Sequence, residues 1–113
     1  MAGPHTALGE VRRFGEAVTA HQDAAVICRE TGDRHGEGRA LNNLGLALRK
    51  VRRFGEVVTA HQDAAVIYRE TGDRHREGRT LGNLAVALRK KRQIRKALAA
   101  EYAAAVIRRD SSA

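Results

Sequence analysis

The sequence predicts an all-α fold: antiparallel helix–turn–helix repeats stacked into a short right-handed superhelical solenoid. Three observations predict it. Residues 11–50 and 51–90 are near-copies with a period of 40, and fixed self-similarity at that period marks an array. Each copy holds two stretches of helical hydrophobic periodicity. No alternating apolar run or hairpin dipeptide signals a strand. The copies differ at seven positions only: Ala17/Val57, Cys28/Tyr68, Gly36/Arg76, Ala40/Thr80, Asn42/Gly82, Gly45/Ala85 and Leu46/Val86.

The elements follow in chain order. Thr6 to Glu10 align with Leu46 to Lys50 and predict a stub of a first-type (A) helix. A second-type (B) helix follows. Its pattern is clearest in the second copy, about residues 53–70. Phe54, Val57, Val58, His61, Ala64, Ala65 and Tyr68 fall on one face there. Gly32 and Gly72 are placed to end the B helices as left-handed caps. Asp33 and Asp73 are placed to N-cap the A helices that follow. The A helix, about 35–50, carries Leu41, Leu44, Gly45 and Leu48 on its apolar stripe. Gly45 and its counterpart Ala85 are small enough to let a neighbouring helix come close. A degraded third copy begins at Lys91 and supplies a last B helix. Its Glu101 and Arg108, in place of His61 and Tyr68, suit a terminal face. One domain results over 1–113: a partial repeat 6–32, repeats 33–72 and 73–110, and a tail 111–113.

Length and composition bound the reading. At 113 residues there is room for one compact unit. Hydrophobic residues make up 42% but aromatics only 4%, so the core relies on closely packed helices rather than large side chains. Lys and Arg outnumber Asp and Glu by 21 to 13. That excess favours acidic partners. The single cysteine, Cys28, aligns with Tyr68 and reads as a packing position; it fits a reducing compartment. No apolar run reaches membrane-spanning length and the first residues lack signal-peptide character. The expected location is cytoplasmic, with no membrane partner.

The pattern Leu41-x-x-Leu44-Gly45-x-x-Leu48, followed by Phe54 and Ala64, resembles the tetratricopeptide signature. The 40-residue period is similar to the variety found in kinesin light chains, in the Pins/LGN polarity adaptors and in actinobacterial regulator arrays. The resemblance covers about residues 6–109. It implies a protein-binding scaffold, not an enzyme. Two departures stand out. Family members usually carry glycine at the A-to-B turn, where this chain has Arg12, Arg52 and Arg92. A left-handed arginine costs about 1 kcal/mol relative to glycine. The N-terminal A helix is also incomplete, which leaves apolar surface on the first B helix.

In that family the A helices line the concave face. Here the corresponding stripe is Arg39, Asn42, Asn43, Leu46, Arg49 and Lys50. One repeat on it is Arg79, Gly82, Asn83, Val86, Arg89 and Lys90. Asparagine can both donate to and accept from a peptide backbone, and the resemblance implies that role for Asn43 and Asn83. Arginine can grip carboxylates through two parallel bonds. The expected partner is therefore an extended or acidic peptide. The alternative is self-association into a homo-oligomer through the incomplete N-terminal repeat. A nucleic-acid-associated regulatory module ranks third: the basic run 89–96 reads first as a solvated turn, because no aromatic interleaves it.

The motifs of catalysis and cofactor binding are not found. The five histidines recur because the repeat recurs and have no metal-ligand spacing. His61 falls on the core stripe and is expected to be packed and hydrogen-bonded; His35 and His75 are expected at the surface. Gly32 to Gly38 lacks the Gly-Lys-Ser/Thr ending of a phosphate loop. No nucleophile, base and orienting group fall together. No catalytic residue, metal site or cofactor is expected.

Overall fold

The computed structural model describes residues 7–112, and side chains over 8–110. Five helices account for nearly all of that length: α1 (Ala7–Thr31), α2 (Arg34–Lys50), α3 (Phe54–Thr71), α4 (Arg74–Lys90) and α5 (Ile94–Ser112). No strand occurs among the described residues. Each helix packs chiefly on its neighbours in sequence, and the stack is elongated, 53 × 36 × 23 Å. This is the one-dimensional arrangement that stacked helix pairs must adopt.

The apolar stripes meet as their spacing requires. Leu41, Leu44 and Leu48 of α2 are buried against Val57, Ala60, Ala64 and Ile67 of α3. A smaller cluster joins Leu84, Ala85 and Leu88 of α4 to Ala97 and Ala100 of α5. Val58 packs against both clusters and so links the repeats. The helix ends are chemically set. Asp33 accepts from the Gly36 backbone N–H at 2.9 Å, and Asp73 from that of Arg76 at 3.0 Å. Gly32 and Gly72 adopt φ of 78° and 77°, as their cap positions demand. Arg52 and Arg92 also turn left-handed, at 62° and 60°. Backbone bonds from Arg53 to Leu48 and from Gln93 to Leu88, at 3.0 and 2.9 Å, close these turns.

The first turn differs. Residues 11–16 and 51–56 have the same sequence, Val-Arg-Arg-Phe-Gly-Glu. The second copy breaks at Arg52, whereas the first is continuous helix and α1 runs unbroken from Ala7. The expected A-helix stub therefore does not form as a separate element; its Thr6 lies outside the described residues. A separate stub of five residues closes too few backbone bonds to offset the cost of nucleating a helix. Continuing the helix adds backbone bonds and avoids the left-handed arginine. The expected tail is also shorter, since α5 extends through Ser112.

Two buried carboxylates fasten each B helix to the next A helix. Glu37 is buried and accepts from Arg29 and Arg34, each at 3.0 Å. Glu77 repeats the arrangement with Arg69 and Arg74, each at 3.3 Å. Burial alone would raise the Glu37 carboxyl, but the hydrogen bonds from Arg29 and Arg34 outweigh it and lower its pKa. Removing both arginines, by Arg69→Ala with Arg74→Ala, strands the Glu77 charge. The expected cost is about 2 kcal/mol, less than for a fully buried pair because the arginine ends remain wet. Urea titration should show that loss largely restored when Glu77→Gln is added; no restoration would mean that the arginines act through packing alone.

Candidate peptide groove

The A helices bring their outer stripes to a concavity between α2 and α4, closed at one end by α3. Arg39, Asn42, Asn43 and Leu46 come from α2, Tyr68 from the end of α3, and Arg76, Arg79 and Thr80 from the start of α4. The cavity encloses about 200 Å³. A second concavity, lined by Phe14 and His21 of α1 and by Asn43, Leu46, Ala47 and Lys50 of α2, adjoins it. Asn43 and Leu46 border both, so the two concavities lie side by side.

The electrostatics of the α2–α4 cavity favour an anion. Burial raises the Tyr68 hydroxyl and the Asp73 charge adds to that, while the guanidinium groups of Arg76, Arg39 and Arg79 pull it the other way without reversing the rise. Three positive groups thus act on one floor hydroxyl. Arg76 also pairs with Asp73 at 2.9 Å, so part of its charge is already met. Asp73 is held on its other side by His35, whose Nε2 lies 2.9 Å from the carboxylate. Burial pushes Asp73 up, but the bonds from His35 and Arg76 prevail and set it at about 2. His35, expected at the surface, in fact bonds across the repeat junction and stacks edge-on against Tyr68, ring centroids 5.8 Å apart.

The stripe residues named from sequence divide into groups. Arg39, Asn42, Asn43, Leu46 and Arg79 line the α2–α4 cavity, and Lys50 lines the second concavity. Asn43 is exposed and Asn83 half-buried; neither is walled in. Asn42 accepts from the Thr80 hydroxyl at 3.3 Å, which leaves its amide N–H groups for a guest. Lys50 lies 6.0 Å from the Phe14 ring centroid. Arg49, Asn83, Val86 and Lys90 line neither concavity. Arg89 departs from expectation: its Nε and one Nη donate to the Glu101 carboxylate, at 2.6 and 2.9 Å. An arginine committed inside the chain grips a guest only after that pair opens.

Tyr68, Arg76 and Thr80 were not on the expected stripe. A signal for them was present in the sequence. Of the seven pairs at which the two copies differ, five contribute a member to the α2–α4 cavity: Asn42, Leu46, Tyr68, Arg76 and Thr80. The repeats are otherwise nearly interchangeable, so their divergence concentrates on this one lining.

His61 is packed as expected, but its Nδ1 is buried without a hydrogen-bond partner. Among the described residues no cluster of His, Cys, Asp or Glu could hold a metal ion. No helix among the described residues is long and apolar enough to cross a membrane. A family model for the tetratricopeptide repeat matches residues 38–75, from the first turns of α2 through α3 to the start of α4. A search of curated proteins finds no match.

Proposed function

We propose, on the premise that the chain is a tetratricopeptide-repeat protein, that it is a scaffold whose α2–α4 groove binds an extended acidic peptide. Such repeats generally mediate protein–protein interaction, and their curved stacks offer extended concave surfaces. The observation that carries the finer reading is the cavity lined by Arg39, Arg76 and Arg79 over the Tyr68 hydroxyl. A carboxylate seated there meets charge-assisted donors in a partly desolvated site. Asn43, at the junction with the second concavity, is placed to pair with the peptide backbone on either side.

The test uses fluorescein-labelled, glutamate-rich peptides of about ten residues, followed by anisotropy. Asn42→Ala with Asn43→Ala is expected to weaken capture at least about tenfold, roughly 1.4 kcal/mol, with helicity unchanged. Arg39→Ala with Arg79→Ala should remove the preference for acidic over neutral peptides. Binding that ignores all four substitutions would reject the groove assignment.

A further inference from the structure

The net charge of +8 is not spread over the molecule. The A-to-B turns, with the aligned part of α1, span residues 10–16, 49–56 and 89–101. These segments carry twelve Lys and Arg but only four Glu. The rest of the chain holds nine cations and nine anions, so the whole excess belongs to one edge. The three segments adjoin in space. Lys50 lies over the Phe14 ring of α1, and the Lys91 ammonium lies 3.5 Å from where a Gly55 side chain would start.

The two ends of the stack are built differently. At the B-to-A end, Arg29, Arg34, Arg69, Arg74 and Arg76 all lie in ion pairs with carboxylates. At the A-to-B edge, ion pairs tie down only Arg12, Arg53 and Arg89. Arg13, Arg52, Lys91, Arg92, Arg95 and Lys96 are exposed, with no carboxylate near enough to pair among the described residues. Such concentration of like charge carries a repulsive cost that folding alone does not require. A polyanion relieves it.

We infer that this edge docks double-stranded nucleic acid through its phosphate backbone. The cations stand in three successive groups along a continuous edge, which suits a linear polyanion, and arginine dominates them, which suits phosphate. Phe14 and Phe54 are half-buried, so the edge offers no aromatic platform for unstacked bases and a single strand is disfavoured. Val11, Ile94 and Leu98 are exposed within these segments but stand singly among the cations, and none lies at the turn tips 51–53 and 91–93, where Val51 is packed on the core; a lipid surface is therefore one arm of the test. The run at 89–96, read from sequence as a solvated turn, becomes the densest part of this surface. This surface touches the proposed peptide groove at Lys50, but the cations tested below lie outside that groove, and either reading stands if the other fails.

The test is anisotropy with a random-sequence DNA duplex of about 25 base pairs, over a range of salt concentrations. If about five phosphates are engaged, the logarithm of affinity falls with that of salt at a slope near −4.5, a loss of several hundredfold between 50 and 200 mM. The variant Lys91→Gln, Arg95→Gln, Lys96→Gln should bind at least about tenfold more weakly at low salt and flatten the slope by two to three units. Its capture of the acidic peptide should not change. Arg109→Gln, at the opposite end of α5, should leave duplex affinity within about twofold. Several outcomes overturn the inference: no duplex binding at 50 mM salt, a triple variant that binds duplex as well as the parent, or sedimentation with phosphatidylserine vesicles in the absence of duplex binding.

Discussion

Gly45→Val is expected to lower the unfolding free energy by about 3 kcal/mol, at the upper end of what overpacking costs. A methyl built on Gly45 would lie 2.5 Å from Cε1 of His61 and 2.7 Å from its Nε2. Neither side has room to give, since Gly45 and His61 are both buried between α2 and α3. Helix propensity works in the opposite direction: in an exposed helix, alanine would improve on glycine by about 1 kcal/mol. Contact geometry outweighs propensity here because the ring fills the space that a side chain needs. The decisive comparison is a double-mutant cycle. Gly45→Ala should destabilise the parent, yet in a His61→Ala background it should become neutral or stabilising. Thermal unfolding followed by circular dichroism reads both; a domain near this size shifts by several degrees per kcal/mol. A Gly45→Ala effect of the same sign and size in both backgrounds would mean that the ring contact is not what demands glycine.

The same contact marks the boundary of what sequence could reveal. The leucine stripe, the small residue at position 45 and the glycine and aspartate caps were legible because each is a local rule with one dominant outcome. Leu48 is nearly inaccessible and Gly72 is left-handed for those reasons. The absent stub was not legible. Val-Arg-Arg-Phe-Gly-Glu is a turn at 51–56 and a helix at 11–16, so context rather than local preference decides. Only the second copy follows a full A helix that the turn can fold against. Glu37 and Glu77 were missed because charge alone argues for a solvated face; their burial depends on arginines from two different helices. At the groove, periodicity gave the outward face of α2 and α4 but could not reach Tyr68, which enters from α3. Arg89 looked available until Glu101, on the next helix, was seen to hold it.

Lowering the pH from 7.5 to 4.5 is expected to cost the fold about 2 to 3 kcal/mol through His61 alone. Burial, with a smaller contribution from the nearby Arg49 charge, lowers this imidazole from 6.5 to about 4. Between those values the unfolded chain binds a proton that the folded chain refuses. Stability therefore rises with pH across that window, is fully present above about 6.5, and is lost as pH falls through about 4. The orphaned Nδ1 gives the cause a structural basis, since nothing placed beside it could accept a bond from the protonated ring. Below about pH 4 the carboxylates take over: Asp73, held at about 2 by His35 and Arg76, and Glu37, lowered by its arginines. Their contributions likewise vanish as acid protonates them, but in a lower window that separates them from His61. Urea unfolding of His61→Leu should consequently be nearly flat between pH 6.5 and 4.5, where the parent declines, and both should fall steeply below pH 4. A parent that is equally stable at pH 7.5 and 4.5 would show that the buried ring is hydrated or bonded after all.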